Sequence, residues 1–238
     1  MPGQLNKNVS TNLRVYSNPL IENDLTTLLH QEVDLPEYNR AVTRITFPLA
    51  GIAGEFLKSK TIDITTKWGQ TTGEILDSHP LIVYIERGVK AMRYPFDLLY
   101  PEADTVTVNC ARHLDDPWQA EITTGNVKFP PFDPKRRYLI VDCTCATGGT
   151  IFAVAKRLKE LKLINANDAE VDNLAVVSVF CGQPGLDRLF KAYPLLHVYT
   201  ARVIPELDKN CYLIHGPYDA GNRGNFSIRT INSLPGGH

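Results

Sequence analysis

The chain has 238 residues, 43% of them hydrophobic and 21% charged, an ordinary globular composition with enough length to bury a core unaided. A formal net charge of −1 excludes a broad basic field for nucleic acid. The five cysteines, at 110, 143, 145, 181 and 211, are odd in number and irregularly spaced, which excludes a disulfide framework.

Residues 1–12 read as a polar leader, without the apolar centre of a signal peptide, ahead of one domain over 13–238. No apolar run approaches a membrane span, so no membrane partner and a cytoplasmic setting are expected. Residues 20–33 carry Leu20, Ile21, Leu25, Leu28 and Leu29 at helical spacing. Leu81 to Ile85 is short, apolar and β-branched, the pattern of a buried strand, and residues 105–109 are a weaker strand candidate. Residues 113–136 hold prolines 117, 130, 131 and 134 and read as a long irregular excursion. Tyr138 to Val141 reads as a strand, and Ile151, Val154, Ala155, Leu158 and Leu161 mark one face of a helix. Leu174 to Phe180 is another strand, 182–185 a turn, Leu186 to Ala192 a short helix and His197 to Ala201 a further strand. This alternation predicts an α/β fold, a mostly parallel twisted sheet flanked by helices. Ligands of such sheets sit beyond the carboxyl ends of the strands.

The loop after the 138–141 strand fits a phosphate. Asp142 ends the strand, Ala146-Thr147-Gly148-Gly149-Thr150 follows, and a helix begins at about Ile151. Small residues let a ligand approach the backbone, and unpaired N–H groups lie at the positive end of the helix. Thr147 and Thr150 add hydroxyl donors, and Asp142 can accept from sugar hydroxyls. Neither a Walker loop nor a G-x-G-x-x-G fingerprint is present. Cys143 and Cys145 lack a nearby Cys/His pair and read as loop thiols rather than metal ligands.

Residues 141–150, Val-Asp-Cys-Thr-Cys-Ala-Thr-Gly-Gly-Thr, resemble the V-D-P-M-L-A-T-G-G-S of the phosphoribosyltransferases, and within them of the uracil phosphoribosyltransferase family. Residues 212–223, Tyr-Leu-Ile-His-Gly-Pro-Tyr-Asp-Ala-Gly-Asn-Arg, look like its Y-I-V-P-G-L-G-D-A-G-D-R. Ile85-Glu86-Arg87-Gly88 with Met92, Ala111-Arg112, Asn18-Pro19-Leu20, Pro184-Gly185-Leu186 and Val198 to Ala201 also fit, in order, over roughly residues 13–230. The resemblance implies a phosphoribosyltransferase fold with a hood or flap from the terminal segments. It implies transfer from 5-phosphoribosyl 1-diphosphate to uracil or a related heterocycle, with Mg²⁺ carried on the diphosphate and no protein metal site. It implies that Asp142 holds ribose hydroxyls, that Ala146, Thr147, Gly148, Gly149 and Thr150 cradle the 5′-phosphate, and that Arg87 and Arg112 contact the diphosphate. Leu213, Ile214, Gly216, Tyr218, Asp219 and Ala220 would form the base pocket, with Asp219 beside the anomeric carbon. Asp219, Arg112 and Arg87 are the expected catalytic groups, and a homodimer or higher homo-oligomer is expected.

The departures cluster on the acceptor side. His215, Pro217 and Tyr218 stand where the family has Pro, Leu and Gly, and Asn222 where it has Asp. Cys143 replaces Pro, Glu86 an apolar residue, and Asn109-Cys110-Ala111 stands for G-L-Y. An altered acceptor, and a regulatory homologue that binds donor or nucleotide without turnover, are the alternatives this leaves.

Overall fold

The computed structural model describes residues 12–217, apart from 114 and 126. In chain order, β1 (Leu13–Val15) leads to two helices, α1 (Pro19–Leu29) and α2 (Leu35–Ala53). A long hairpin follows, β2 (Ser59–Thr66) with β3 (Gly69–Leu76). Then come β4 (Leu81–Ile85), α3 (Glu86–Leu99) and β5 (Asp104–Val108). A small hairpin of β6 (Cys110–Arg112) and β7 (Ala120–Ile122) precedes β8 (Tyr138–Cys145) and α4 (Gly149–Glu160). The chain continues with β9 (Leu174–Gly182), α5 (Gln183–Ala192) and β10 (His197–Ile204).

Six strands form one sheet in the order β1-β10-β9-β8-β4-β5, and every pairing in it is parallel. The expected α/β architecture is what the chain adopts. From β4 the chain moves outward to β5, whereas from β8 it moves the other way through β9 to β10. The strand order therefore reverses between β4 and β8, where an open α/β sheet takes its ligand.

The sheet is apolar on both faces because helices cover both. Ile82, Tyr84, Leu139, Val141 and Val177 face a core shared with α1, α2 and α3. Leu81, Val83, Ile140, Val176 and Val198 face one shared with α4 and α5. This alternation breaks near the carboxyl ends of two central strands. Cys143 and Val179 keep to the first core, yet Cys145 and Cys181, two positions on, face the second. Ser178 Oγ donates to the Phe180 carbonyl and Thr200 Oγ1 to that of Val179, so hydroxyls occupy acceptors in this stretch.

Local signals set the helix starts. Asn18 Oδ1 accepts the N–H groups of Leu20 and Ile21 at 3.0 Å, with Pro19 in the first turn of α1. Asp34 Oδ1 accepts the Glu37 N–H at 2.7 Å at the start of α2. Arg44 of α2 grips Asp24 of α1 through Nε and Nη2, which fixes how the two helices meet.

Several expected boundaries move. The first helix stops at Leu29 rather than 33; residues 30–34 turn the chain into α2, which begins at Leu35. The helix expected from Ile151 begins at Gly149, and the turn at 182–185 is instead the end of β9 and the first turn of α5. The excursion at 113–136 contains β7 and the tip of an ordered hairpin. The largest change is β8, which runs four residues past Val141 because it stays paired with β9 as far as Cys145 and Cys181. Asp142 thus sits inside the strand rather than at its end, and Cys143 and Cys145 are buried strand residues rather than loop thiols. Burial pushes the Cys143 thiol up to about 12. A hydrogen bond to Cys181, together with burial, holds the Cys145 proton well above the usual thiol range. Both therefore stay protonated and unreactive at neutral pH.

Candidate active site

The site is built from the carboxyl end of β8 outward. Asp142 is 8% exposed, and burial raises its carboxyl to about 6. Opposing that rise are the Thr144 N–H at 3.5 Å, the Thr150 hydroxyl at 3.4 Å and the charge of Arg112. A carboxylate held in this way is costly for the donor-free protein and available to a ligand that brings hydroxyl donors.

Ala146, Thr147 and Gly148 then turn the chain into α4. Gly148 adopts φ 76°, a left-handed conformation that only glycine takes freely, and Leu189 of α5 lies directly beneath it. No side chain caps α4; the Gly149 N–H turns back onto Thr147 Oγ1 at 3.3 Å. The first turn of an uncapped helix presents unpaired N–H groups, the feature an anion uses. The loop rests on the start of α5. The Ala146 carbonyl lies so close to Gly182 and Gly185 that a Cβ at either would come within 2.7 Å and 2.2 Å of it.

The β6–β7 hairpin brings its tip, residues 115–119, onto this loop. Thr147 Oγ1 donates to the Pro117 carbonyl at 3.4 Å, and the Trp118 carbonyl lies against Gly149. Asp116 shapes the tip by accepting the Trp118 N–H at 3.0 Å and the Gln119 side-chain amide at 2.8 Å.

Arg112, at the end of β6, is exposed, with its guanidinium carbon 5.9 Å from the centre of the Tyr212 ring. That contact links the hairpin to the segment after β10. There Leu207 bridges Leu213, the Ile214 N–H donates to the Glu206 carbonyl at 3.1 Å, and Asp208 Oδ1 accepts the Tyr212 N–H at 2.8 Å. Cys211 at φ 63° and His215 at φ 61° hold left-handed turns, an uncommon conformation for such side chains. Leu213 anchors the segment in the first core, and the Gly216 N–H closes the turn on the Leu213 carbonyl.

The expected residues therefore fall into three groups. Asp142, Ala146, Thr147, Gly148, Gly149 and Thr150 form one continuous cradle at the sheet's switch point. Arg112, Leu213, Ile214 and Gly216 stand around it on the hairpin and the post-β10 segment. Arg87 lies in the first turn of α3, after β4, but its side chain is outside the described residues, as are Tyr218, Asp219 and Ala220. Two contributors escape sequence reasoning. The Asp116-Pro117-Trp118 tip carries turn-forming residues that would flag a turn but not its seat on the loop. Arg188 of α5 has no motif to mark it; its guanidinium donates to the Trp118 carbonyl and lies 3.5 Å from that of Thr147.

A model of the family described as uracil phosphoribosyltransferase matches residues 15–225. The uracil phosphoribosyltransferase of Campylobacter concisus is 27% identical over 212 residues, 89% of this chain and 97% of that one. The chloroplastic uracil phosphoribosyltransferase of Arabidopsis thaliana is 28% identical over 211 residues, 87% of this chain and 68% of that one. The solved structure of the AQ2163 protein from Aquifex aeolicus shares the fold, with a TM-score of 0.75 at 20% identity over 89% of this chain and 97% of that one. With the family model spanning nearly the whole chain, the protein belongs to the uracil phosphoribosyltransferase family, a family of glycosyltransferases.

Proposed function

We propose that the protein transfers the phosphoribosyl group of 5-phosphoribosyl 1-diphosphate to a ring nitrogen of a uracil-like heterocycle, giving a nucleoside monophosphate and diphosphate. The observation that carries this reading is the buried Asp142 carboxylate set beside a small-residue turn and an uncapped helix start, at the point where strand order reverses. In this reading the cradle takes the 5′-phosphate and Asp142 accepts the ribose hydroxyls. Arg112 and Arg87 stabilise charge that develops on the departing diphosphate. Asp219 lies beside C1′ and steadies its oxocarbenium-like charge, and the segment around Leu213, Ile214, Gly216, Tyr218 and Ala220 reads the base. Alignment of donor and base in one crevice supplies much of the remaining rate.

Mg²⁺ is proposed to arrive on the donor's diphosphate, where it would neutralise the leaving group. Among the described residues no group of three or more His, Cys, Asp or Glu is placed to hold an ion. No helix among the described residues is long and apolar enough to cross a membrane. We place the enzyme in the cytoplasm.

Calorimetry with the donor and Mg²⁺ tests the first half; a saturable heat is expected, and its absence would sink the donor assignment. Labelled donor offered with uracil, other pyrimidines, imidazolones and purines tests the second. A second reading, a donor-binding relative without turnover, draws on His215 and Pro217 in the base segment. Nucleotide product from any of these bases rejects it.

A homo-oligomer is also proposed, and the β2–β3 arm supports it. Among the described residues the two eight-residue strands pair only with each other, and Trp68 at the turn is 89% exposed, with Ile64 and Ile75 also open to solvent. A lone two-stranded hairpin is marginal in water, so a second copy of the chain is the expected cover. Sedimentation should show a dimer at micromolar concentration that Ile64→Asp with Trp68→Glu weakens at least tenfold. A wild-type monomer at that concentration refutes the assembly.

A further inference from the structure

We propose that Arg188 is a positioning residue that latches the hairpin tip at 115–119 onto the phosphate-type loop, and that this latch sets affinity for the phosphorylated donor. The second clause rests on the donor reading above; the latch itself does not.

Arg188 lies one turn beyond Gly185, the glycine against which the loop packs. Its guanidinium touches three elements at once. Nη1 donates to the Trp118 carbonyl of the tip, the Thr147 carbonyl of the loop is 3.5 Å away, and the guanidinium carbon sits 4.3 Å from the centre of the Phe152 ring on α4. Stacking on a ring while spanning two carbonyls suits a planar guanidinium and not an ammonium. Among the described residues Arg188 forms no salt bridge; its charge is felt by Asp116, whose carboxyl it helps to lower after the hydrogen bonds from Gln119 and Trp118. A half-buried cation answered mainly by neutral carbonyls therefore stands beside the cradle assigned to an anion.

The tip is a preformed unit. The Gln119 N–H donates to the Asp116 carbonyl at 3.0 Å and the His113 N–H to the Gln119 carbonyl at 3.1 Å, alongside the Asp116 side-chain bonds. Such a turn docks or leaves as one piece. While it is docked, Pro117 and Trp118 press on Thr147 and Gly149, so the cradle keeps its shape before the donor arrives. A cradle already in shape costs less to occupy, and loss of the latch transfers that ordering cost to the donor.

The two tryptophans, Trp68 and Trp118, make the tip readable. In a Trp68→Phe background Trp118 is the sole indole, and its quenching by acrylamide reports whether the tip is docked. Arg188→Ala should raise the quenching constant about twofold in the donor-free protein. It should raise the donor KM about tenfold, with the acceptor KM and far-UV circular dichroism unchanged. Arg188→Lys should restore less than half of the loss. Unchanged quenching overturns the latch. Raised quenching with an unchanged donor KM overturns the coupling to affinity, and an equal rise in both KM values assigns Arg188 to general folding instead. A wild type that shows no heat with donor refutes the donor reading and the affinity clause with it, while the quenching comparison still decides the latch.

Discussion

Asp142→Asn is expected to make the donor-free protein more stable and to cost it its donor. The carboxyl is raised from an ordinary 3.8 to about 6 because the folded chain buries it. A raised carboxyl means that the folded state holds the proton more tightly than the unfolded state. Stability from this group is therefore greatest below pH 4, declines as pH climbs to about 6, and is flat above that. At neutral pH the ionised group costs up to about 3 kcal/mol, at about 1.4 kcal/mol per unit. Asparagine removes the charge and keeps the shape. Its amide oxygen accepts the Thr144 N–H, and Thr150 Oγ1, now a donor to Asp142, becomes the acceptor of the amide N–H.

After allowance for poorer hydrogen bonds the variant should gain about 1–2 kcal/mol, or about 2–8 °C in melting temperature for a chain of this size. Below pH 4, where the carboxyl is protonated in both states, only the poorer hydrogen bonds remain and the variant should melt slightly below wild type; the gain should appear between pH 4 and 6 and hold constant above pH 7. Donor binding should fall about a hundredfold, since two hydrogen bonds to a charged acceptor are worth about 1.5–3 kcal/mol each. A variant that melts at or below wild type at pH 7.5, or binds donor equally well, contradicts the assignment. The opposed directions matter: a variant that was simply misfolded would lose donor and stability together.

Much of the scaffold is legible in the sequence because its strands are buried on both faces. Leu81–Ile85 is a continuous apolar run and Leu174–Gly182 is apolar but for Ser178, and short β-branched runs of this kind suit a strand covered on both faces. The cradle is legible for a different reason: a polar Asp142, the turn at 146–149 and the start of a helical apolar stripe at Ile151 succeed one another within ten positions. Other parts are harder to read. Helix α2 carries its buried stripe on Tyr38, Ala41, Val42, Ile45 and Leu49, but Val42, Thr43, Ile45 and Thr46 are β-branched and Pro48 lies inside it, so propensity argues against the helix that tertiary packing enforces. The β2–β3 arm alternates weakly because neither face meets a core. The end of β8 is hidden by Asp142, Thr144 and their neighbours, which look like loop residues until the pairing with β9 is seen. Arg188 and the 115–119 tip are hidden most completely. Their roles depend on contacts spanning 30 to 70 residues of sequence, and no local period encodes them.

Gly185→Ala is expected to damage the cradle from below, and Gly51→Ala shows why the position rather than the residue type decides it. At Gly185 a Cβ would stand 2.2 Å from the Ala146 carbonyl oxygen, 2.9 Å from its carbon and 3.0 Å from the Thr147 carbonyl carbon. All three are backbone atoms of the loop, so no rotamer change relieves the overlap; α5 or the loop must move. Overpacking of this kind costs about 1–3 kcal/mol and occasionally more, and the upper end is expected here, with melting lowered by about 6–12 °C. Donor affinity should fall at least tenfold, because the displaced peptides are those that carry the cradle. At Gly51, in the exposed part of α2, a Cβ meets nothing within 4 Å. There alanine relieves the backbone freedom of a helical glycine and should add about 0.5–1 kcal/mol, with donor affinity unchanged. Thermal melts and calorimetry on the two variants separate the cases. If Gly185→Ala melts and binds like wild type, the loop does not rest on α5. If it melts low yet binds donor normally, the loop's seat is structural and the donor's phosphate lies elsewhere.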